Sequence, residues 1–157
     1  MTEGTPRLLF LCTANACRSQ MGQYLARHHF PNAFVASAGV KPGSEVDPRA
    51  KLVLEELGID TSDAYNKDLS AVQLPSPQKY DLVVTVCSKA AEECPIYSGA
   101  KTVRRPFEDP PALWKEAKLS DEHVDPLPFY RKVRDEIDMF IINDLPLLVP
   151  TLQRQVS

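Results

Sequence analysis

The chain has 157 residues, of which 43% are hydrophobic and 25% are charged, and its formal net charge at pH 7 is -3. These values are ordinary for a globular protein that buries a core, and we predict a single domain over residues 1–157, with its core at about 7–145. The slight negative charge disfavours a general role in binding nucleic acid or a membrane surface. No apolar run approaches the roughly 18 residues of a membrane span.

The first residues lack the basic and apolar regions of a secretory signal, so we expect a cytoplasmic protein. In that compartment the four cysteines are expected to be reactive or metal-binding, because structural disulfides are rare there.

The most informative stretch of the sequence joins the first strand to the first helix. The apolar run 8–11 predicts a short buried strand, and residues 19–26 predict a helix. One face of that helix carries Met21, Tyr24, Leu25 and His28. Cys12 therefore lies at the carboxyl end of a strand, and a five-residue loop leads from it to Arg18 at the start of a helix.

This arrangement suits an oxyanion. A helix start offers unpaired backbone N–H groups and the positive end of the dipole, and a loop over it can aim further N–H groups at one point. The predicted oxyanion-binding residues are Thr13, Ala14, Asn15, Ala16, Cys17 and Arg18. The same field stabilises the thiolate of Cys12 as a nucleophile, and Ser19 can donate a hydrogen bond to it. A lone cysteine is usually a small buried residue, but Arg18 and Ser19 at this spacing favour catalysis.

The remaining pattern alternates strands with helices. Strands are predicted at 33–37, at 80–87 in the centre of the sheet and at 101–105 on its edge. Helices are predicted from Asp47 to Gly58, near Leu69, and from Pro128 to about Leu145. In the second helix, core positions are predicted at Ala50, Val53, Leu54 and Leu57. Residues 108–122 are predicted to be irregular, with a helical turn near Trp114, and Pro146 and Pro150 argue against a regular C-terminal end.

Alternating strands and helices predict an α/β fold with a four-stranded parallel sheet flanked by helices in a three-layer sandwich. Ligands of such sheets bind beyond the carboxyl ends of the strands. Cys12 and Cys87 both lie at such ends, so the fold can bring them together.

Cys87 and Cys94 form a second group of interest. The residues between them have good helix propensity, and Pro95 would stop a helix. In a helix their α-carbons would be about 10 Å apart along the axis, whereas a disulfide allows no more than ~7 Å. The two cysteines can bond only if the helix unwinds or never forms, which would make a redox switch. Two unrelated buried thiols are the alternative, and a zinc site is disfavoured because neither a C-x-x-C pair nor a nearby His accompanies them.

The loop 12–19, at the first strand, is the signature loop of the cysteine-dependent phosphatases, and the chain resembles the low-molecular-weight tyrosine phosphatase fold. Thioredoxin-coupled arsenate reductases share that fold, and in three features the chain resembles these reductases and not the phosphatases. The loop is followed by Gln20, where the phosphatases usually have Pro. The Asp109-Pro110 pair is not followed by the tyrosine pair typical of the phosphatases, and the phosphatases lack Cys87 with Cys94. Cys17 does not discriminate between the two groups.

The resemblance implies reduction of arsenate in three nucleophilic steps. Cys12 attacks arsenate while Arg18 and the loop amides hold the oxyanion, and Asp109 acts as the general acid. Cys87 then attacks the Cys12–arsenic adduct, which releases arsenite and leaves a Cys12–Cys87 disulfide. Cys94 attacks Cys87, and thioredoxin, supplied by thioredoxin reductase and NADPH, reduces the Cys87–Cys94 bond. No bound cofactor is implied, and glutaredoxin as reductant remains an alternative.

Some relatives hold a monovalent cation beside the loop, and Asn15, Ser37 and Asp68 match that site. Gln23 stands where a Glu is found, which removes one charge, and the alternative is that Asn15 and Ser37 only hold the loop's shape. Ala14 stands where Gly is frequent, so we expect a negative φ there.

Two functions remain open from the sequence. The first is arsenate reduction, and the second is hydrolysis of phosphomonoesters with the extra cysteines as redox protection. A non-catalytic anion-binding module would not need both Cys12 and Asp109. The stretch from Trp114 to Asp125 is longer than is usual in the family and receives no function.

Overall fold

A parallel β-sheet forms the centre of the protein. The structure is a computed structural model that describes residues 4–87 and 97–154. Its strands are β1 (Arg7–Cys12), β2 (Phe34–Gly39), β3 (Leu82–Thr85) and β4 (Thr102–Arg104). They lie in the order β2-β1-β3-β4 and every pair is parallel, which confirms the predicted sheet with β4 at an edge.

Within the described residues, five α-helices and one 3₁₀ helix connect and follow the strands. The helices are α1 (Arg18–His29), α2 (Pro48–Glu55), α3 (Pro110–Ala117), α4 (Leu127–Asn143) and α5 (Leu145–Leu148), and the 3₁₀ helix is Leu69–Val72. In the described residues, α1, α2, α4 and α5 belong to the larger hydrophobic cluster on one sheet face. The 3₁₀ helix belongs to the smaller cluster on the other face.

The two faces follow from the apolar run of β1. Leu8 and Phe10 belong to the larger cluster, and Leu9 and Leu11 to the smaller one, because successive side chains of a strand point to opposite faces. All four are at most 1% exposed. A strand buried on both faces explains the continuous apolar sequence, which is typical of a central parallel strand.

The predicted faces of α1 and α2 are mostly confirmed. Met21, Tyr24 and Leu25 of α1 are buried, whereas His28 is exposed in its last turn. In α2 the predicted core residues Ala50, Val53 and Leu54 are buried. Leu57 is wrong as a core position and is 42% exposed, because α2 ends at Glu55 and the chain turns through Gly58 at φ 79°.

The prediction of irregular structure at 108–122 is wrong, because α3 occupies two turns of it. Asp109 is the N-cap, and two prolines fill the first two helical positions, where the missing N–H and fixed φ are tolerated. Trp114 lies between the guanidinium of Arg49, 4.3 Å from the ring centroid, and the ammonium of Lys118 at 3.9 Å. Its indole N–H donates to the carbonyl of Val124 at 3.2 Å. The contact with Arg49 attaches α3 to α2, and the bond to Val124 holds the segment that follows α3.

The C-terminal helices also agree with the pattern. The apolar stripe of α4 is buried at Val133, Ile137, Phe140 and Ile141. One further turn, α5, has Pro146 in its first turn and ends before Pro150. Among residues 4–87 and 97–154, no helix is long and apolar enough to cross a membrane.

Candidate active site

Cys12 lies at the centre of the predicted loop. The backbone N–H of Asn15 donates to its sulfur at 3.1 Å, and the hydroxyl of Ser19 lies 2.9 Å from it. Because the Ser19 oxygen already accepts from the Asn15 side-chain amide at 2.8 Å, its own proton is directed to the sulfur. Cys12 is 4% exposed. Two hydrogen-bond donors therefore point at the sulfur and fix the position of the predicted nucleophile.

Asn15 determines the shape of the loop. Its φ is 54°, in the left-handed region that Asn tolerates better than other residues with a β-carbon. Its fully buried side chain donates to Ser19 at 2.8 Å and to Ser37 at 2.9 Å. Its carbonyl oxygen accepts from Gln20 and from the backbone N–H of Lys67, both at 2.9 Å. Among the described residues only Asn15 and glycines have a positive φ, so Ala14 fits as expected.

The outer side of the loop is held by the segment after β2. The carbonyls of Thr13, Ala14 and Ala16 accept backbone N–H bonds of 2.8–2.9 Å from residues 41–47. A β-carbon on Gly39 would lie 2.6 Å from the carbonyl oxygen of Thr13, so only glycine allows this approach. With its carbonyls turned outward, the loop presents its amide side to the cavity at Cys12.

Arg18 and Asp109 meet on that cavity, although they are far apart in the sequence. Arg18 is 5% exposed, and its Nη1 donates to the carbonyl of Phe107 at 2.9 Å. Its Nε lies 3.6 Å from Oδ1 of Asp109. The cavity has a volume of about 220 Å³. Its lining residues are Cys12, Thr13, Ala14, Ala16, Cys17, Arg18, Asp47, Asp109 and Pro111.

Asp47 also lines this cavity, and the sequence predicted it only as a helix cap. One carboxylate oxygen accepts from the backbone N–H of Arg49 at 2.9 Å. The other accepts from the hydroxyl of Tyr130 at 2.5 Å. The Asp-Pro pair in the sequence identifies a helix start, and only the fold shows that this carboxylate also lines the cavity at Cys12.

Cys17, at the N-cap of α1, is a buried thiol of the same cavity. Its burial is the main cause that raises its pKa well above the ordinary value, and the carboxylates of Asp47 and Asp109 add to the effect. The guanidinium of Arg18 opposes it only in part. Cys17 therefore stays protonated at neutral pH.

Cys87 lies beside the loop, as the sheet predicts. Leu11 pairs with Thr85, the last residue of β3, so Cys87 lies two residues beyond that strand and one residue further along than Cys12. Its sulfur is 4.0 Å from the hydroxyl of Thr13, and the residue is fully buried. Cys94 and the predicted helix at 88–93 lie outside the described residues.

The three residues of the predicted cation site all make hydrogen bonds within the protein. Asn15 donates to the Ser37 hydroxyl, which donates to Oε1 of Gln23. Asp68 is exposed, and its carboxylate accepts from Ser70 at 2.5 Å instead. The contacts of Asn15 and Ser37 therefore hold the loop, and cation binding stays a prediction. No group of three or more His, Cys, Asp or Glu residues within 4–87 and 97–154 could hold a metal ion.

The chain is similar in sequence to known proteins. A family model described as low molecular weight phosphotyrosine protein phosphatase matches residues 7–143. An arsenate reductase of Halalkalibacterium halodurans is 36% identical over 132 residues, which cover 83% of this chain and 88% of that protein. An arsenate reductase of Bacillus subtilis is 34% identical over 132 residues, with the same coverage.

Two solved structures are similar in both fold and sequence. The crystal structure of arsenate reductase from Archaeoglobus fulgidus has a TM-score of 0.65 at 26% identity, over 85% of this chain and 94% of that one. A thioredoxin-dependent arsenate reductase of Corynebacterium glutamicum has a TM-score of 0.65 at 26% identity, over 94% of this chain and 64% of that one. The predicted fold is confirmed, and the chain belongs to the low molecular weight phosphotyrosine protein phosphatase family, in the branch of the arsenate reductases.

Proposed function

We propose that the protein reduces arsenate to arsenite in the cytoplasm, with thioredoxin as the reductant. The observation that carries this proposal is the position of Cys87, a second thiol just beyond β3 and beside the loop that holds the nucleophile Cys12. Hydrolysis needs only one thiol. Reduction by thiols needs two, because the transfer of two electrons to arsenic oxidises two thiols to one disulfide. The names of the relatives and of the Corynebacterium glutamicum enzyme support the same function.

Arsenate is a tetrahedral oxyanion that suits the cavity at Cys12. The planar guanidinium of Arg18 can donate two parallel hydrogen bonds to two of its oxygens. The amide side of the loop and the N-terminus of α1 supply further donors for negative charge. These groups are fixed before the ligand arrives, because Asn15 and Gly39 hold the loop from behind.

In the first step the Cys12 thiolate attacks arsenic and an As–O bond breaks. Asp109, once it has taken up a proton, gives that proton to the leaving oxygen, which departs as water. Asp109 is placed for this role because it lines the cavity that contains Cys12 and Arg18. The product is a Cys12–S–As(V) adduct, and the oxidation state has not changed.

In the second step Cys87 attacks the sulfur of Cys12. A Cys12–Cys87 disulfide forms, the S–As bond breaks, and its electron pair stays on arsenic, which leaves as arsenite. The proton of Cys87 passes to the departing oxyanion. Arsenic is reduced by two electrons and two thiols are oxidised to one disulfide.

In the third step Cys94 attacks Cys87 and releases Cys12 as the thiolate. This step rests on the sequence spacing alone, since Cys94 lies outside the described residues. The dithiol of thioredoxin then reduces the Cys87–Cys94 disulfide, and NADPH restores thioredoxin through its reductase. The relay moves the disulfide away from the anion cavity to a place where a partner protein can reach it.

The test is arsenate-dependent oxidation of NADPH in the presence of thioredoxin and thioredoxin reductase, with arsenite measured directly. We expect activity in the wild type and none in Cys87→Ser. A parallel assay with glutaredoxin and glutathione identifies the reductant. If the protein forms no arsenite with either reductant, the reductase proposal is refuted.

Hydrolysis of phosphomonoesters is the second candidate, favoured by the meeting of Cys12, Arg18 and Asp109 on one cavity. Those three groups are sufficient for attack on phosphorus and protonation of a leaving oxygen. A hydrolase would cleave p-nitrophenyl phosphate at the same rate in the wild type and in Cys87→Ser. Efficient hydrolysis without arsenite formation would make this the function.

A further inference from the structure

A second cavity, of about 210 Å³, lies between α1, the outer edge of β2 and the 3₁₀ helix. It shares no lining residue with the cavity at Cys12. Its apolar lining residues are Phe34, Ala36, Ala71, Val72 and Leu74. Its titratable lining residues are Tyr24, Arg27, Asp63, Tyr65 and Lys67. A small pocket lined by both apolar and charged residues fits an amphipathic ligand.

Lys67 is the unusual group of this cavity. The residue is only 8% exposed, and its ammonium donates to the carbonyl of Tyr65 at 3.0 Å and lies 4.7 Å from the ring centroid. Burial, and the positive charge of Arg27, lower the pKa of Lys67 to about 8. Two cations therefore line one cavity, and the positive charge of Arg27 disfavours the ammonium form of Lys67.

Asp63 compensates for these charges incompletely. Its side chain is 73% exposed, and Oδ2 lies 3.9 Å from Nη1 of Arg27. Its other oxygen accepts from the hydroxyl of Tyr24 at 2.5 Å. Nε of Arg27 donates to the carbonyl of Val35 at 3.2 Å, which orients the guanidinium at the edge of β2. An anion in the cavity would relieve the repulsion between the two cations.

We propose that this cavity binds a small carboxylic acid, with its carboxylate between Arg27 and Lys67 and a short apolar chain against the apolar lining residues. A carboxylate matches the planar fork of a guanidinium, and the apolar lining excludes a fully hydrated ion. The site is connected to the Cys12 loop through the backbone of Lys67. Its N–H donates to the Asn15 side chain at 2.9 Å, and its carbonyl accepts from the N–H of Gly39 at 2.9 Å. A ligand here therefore stabilises the loop and acts as an effector.

The test uses butyrate as the probe and the full chain, with inorganic phosphate present to fill the Cys12 cavity. The ¹³Cε resonance of Lys67 is titrated with pH, with and without butyrate. We expect the titration of Lys67 to move to higher pH as butyrate saturates, because the bound carboxylate favours the ammonium. Exposed Lys79 and Lys115 provide internal controls whose titrations should not move.

Lys67→Met keeps the aliphatic part of the side chain and both backbone bonds, and Lys79→Met is the matched control. We expect the Kd for butyrate to rise at least tenfold in Lys67→Met and to stay unchanged in Lys79→Met. Equal Kd values in Lys67→Met and the wild type would overturn the proposal. So would a Lys67 titration that ignores butyrate, or one that responds to phosphate only. If Lys67→Met does not fold, the titration of the wild type decides alone. None of these outcomes depends on arsenate turnover.

Discussion

Asn15→Ala tests whether the loop geometry comes from one side chain. The substitution removes four hydrogen bonds of 2.8–2.9 Å, to Ser19, Ser37, Gln20 and Lys67. A neutral buried hydrogen bond contributes about 1 kcal/mol, and the orphaned N–H of Lys67 adds a cost of similar size. Alanine in the left-handed region costs about 1 kcal/mol more than asparagine. We expect the free energy of unfolding to fall by about 6 kcal/mol, a large part of a typical total.

Ser37→Ala provides a graded comparison. It removes only the bond from Asn15 and the bond to Gln23, and it changes no backbone preference. We expect a loss of about 2 kcal/mol, a third of that of Asn15→Ala. The ratio of the two losses in unfolding free energy matters more than either value. Ser37→Ala measures the hydrogen bonds of Ser37 alone, whereas Asn15→Ala adds the left-handed φ and the contact with Lys67.

The assay is urea-induced unfolding at pH 7, followed by the fluorescence of Trp114, the single tryptophan of the chain. The rate at which iodoacetamide alkylates Cys12 is measured in the same samples, because the N–H of Asn15 donates to that sulfur. We expect slower alkylation in Asn15→Ala. A loss of unfolding free energy below about 1 kcal/mol, with an unchanged alkylation rate, would refute the assigned role of Asn15.

Three further substitutions address the chemistry. Arg18→Lys should abolish most turnover, because an ammonium cannot form two parallel bonds to the oxyanion; near-normal kcat/KM would place the anion elsewhere. Asp109→Asn should slow formation of the Cys12 adduct by roughly 10²–10⁴-fold, the usual contribution of a general acid; an unchanged single-turnover rate would assign the proton to another group. Cys87→Ser should block arsenite release and spare hydrolysis of p-nitrophenyl phosphate; equal loss of both would show that Cys87 is needed for the fold.

The sequence predicted what depends on local pattern. Strand β1, its loop and the start of α1 are continuous in the chain, so the apolar run and the Cys12 to Arg18 spacing were enough. The strand ends also placed Cys87 correctly, because parallel strands have their carboxyl ends on one edge. The sequence predicted only one helical turn near Trp114 where α3 has two, although the two prolines favour a helix start.

What the sequence did not predict depends on contacts between distant segments. The side chain of Asn15 is positioned by the backbone of Lys67, 52 positions further along the chain. Asp47 has an ordinary capping sequence, and its place beside Cys17 comes from the docking of α2 against the loop. The pKa of Lys67 is lowered by burial and by the positive charge of Arg27, which belongs to α1. Sequence patterns identify such residues by type, but tertiary packing decides what they touch.

Cys17 offers a test of electrostatics inside the active site. Its folded-state pKa is raised by burial first and by Asp47 second, whereas in the unfolded chain the thiol titrates near 8.5. The unfolded state therefore loses this proton first, and the stability that the neutral thiol provides is present below about pH 8.5 and falls above it. At pH 7.5 iodoacetamide should modify Cys12 and leave Cys17 unmodified until the protein is denatured.

Poor access to a residue that is 6% exposed could also protect Cys17, and Asp47→Asn separates the two causes. Asparagine is as good an N-cap as aspartate, so α2 and the access to Cys17 should stay the same while one negative charge is removed. The pH midpoint for alkylation of Cys17 should then fall, yet remain above that of an exposed cysteine, because burial is the larger cause. Peptide mapping by mass spectrometry across pH 7–10 measures the midpoint. Identical midpoints in Asp47→Asn and the wild type would mean that access alone protects Cys17, and that the carboxylate has no part in keeping a second thiolate out of the anion cavity.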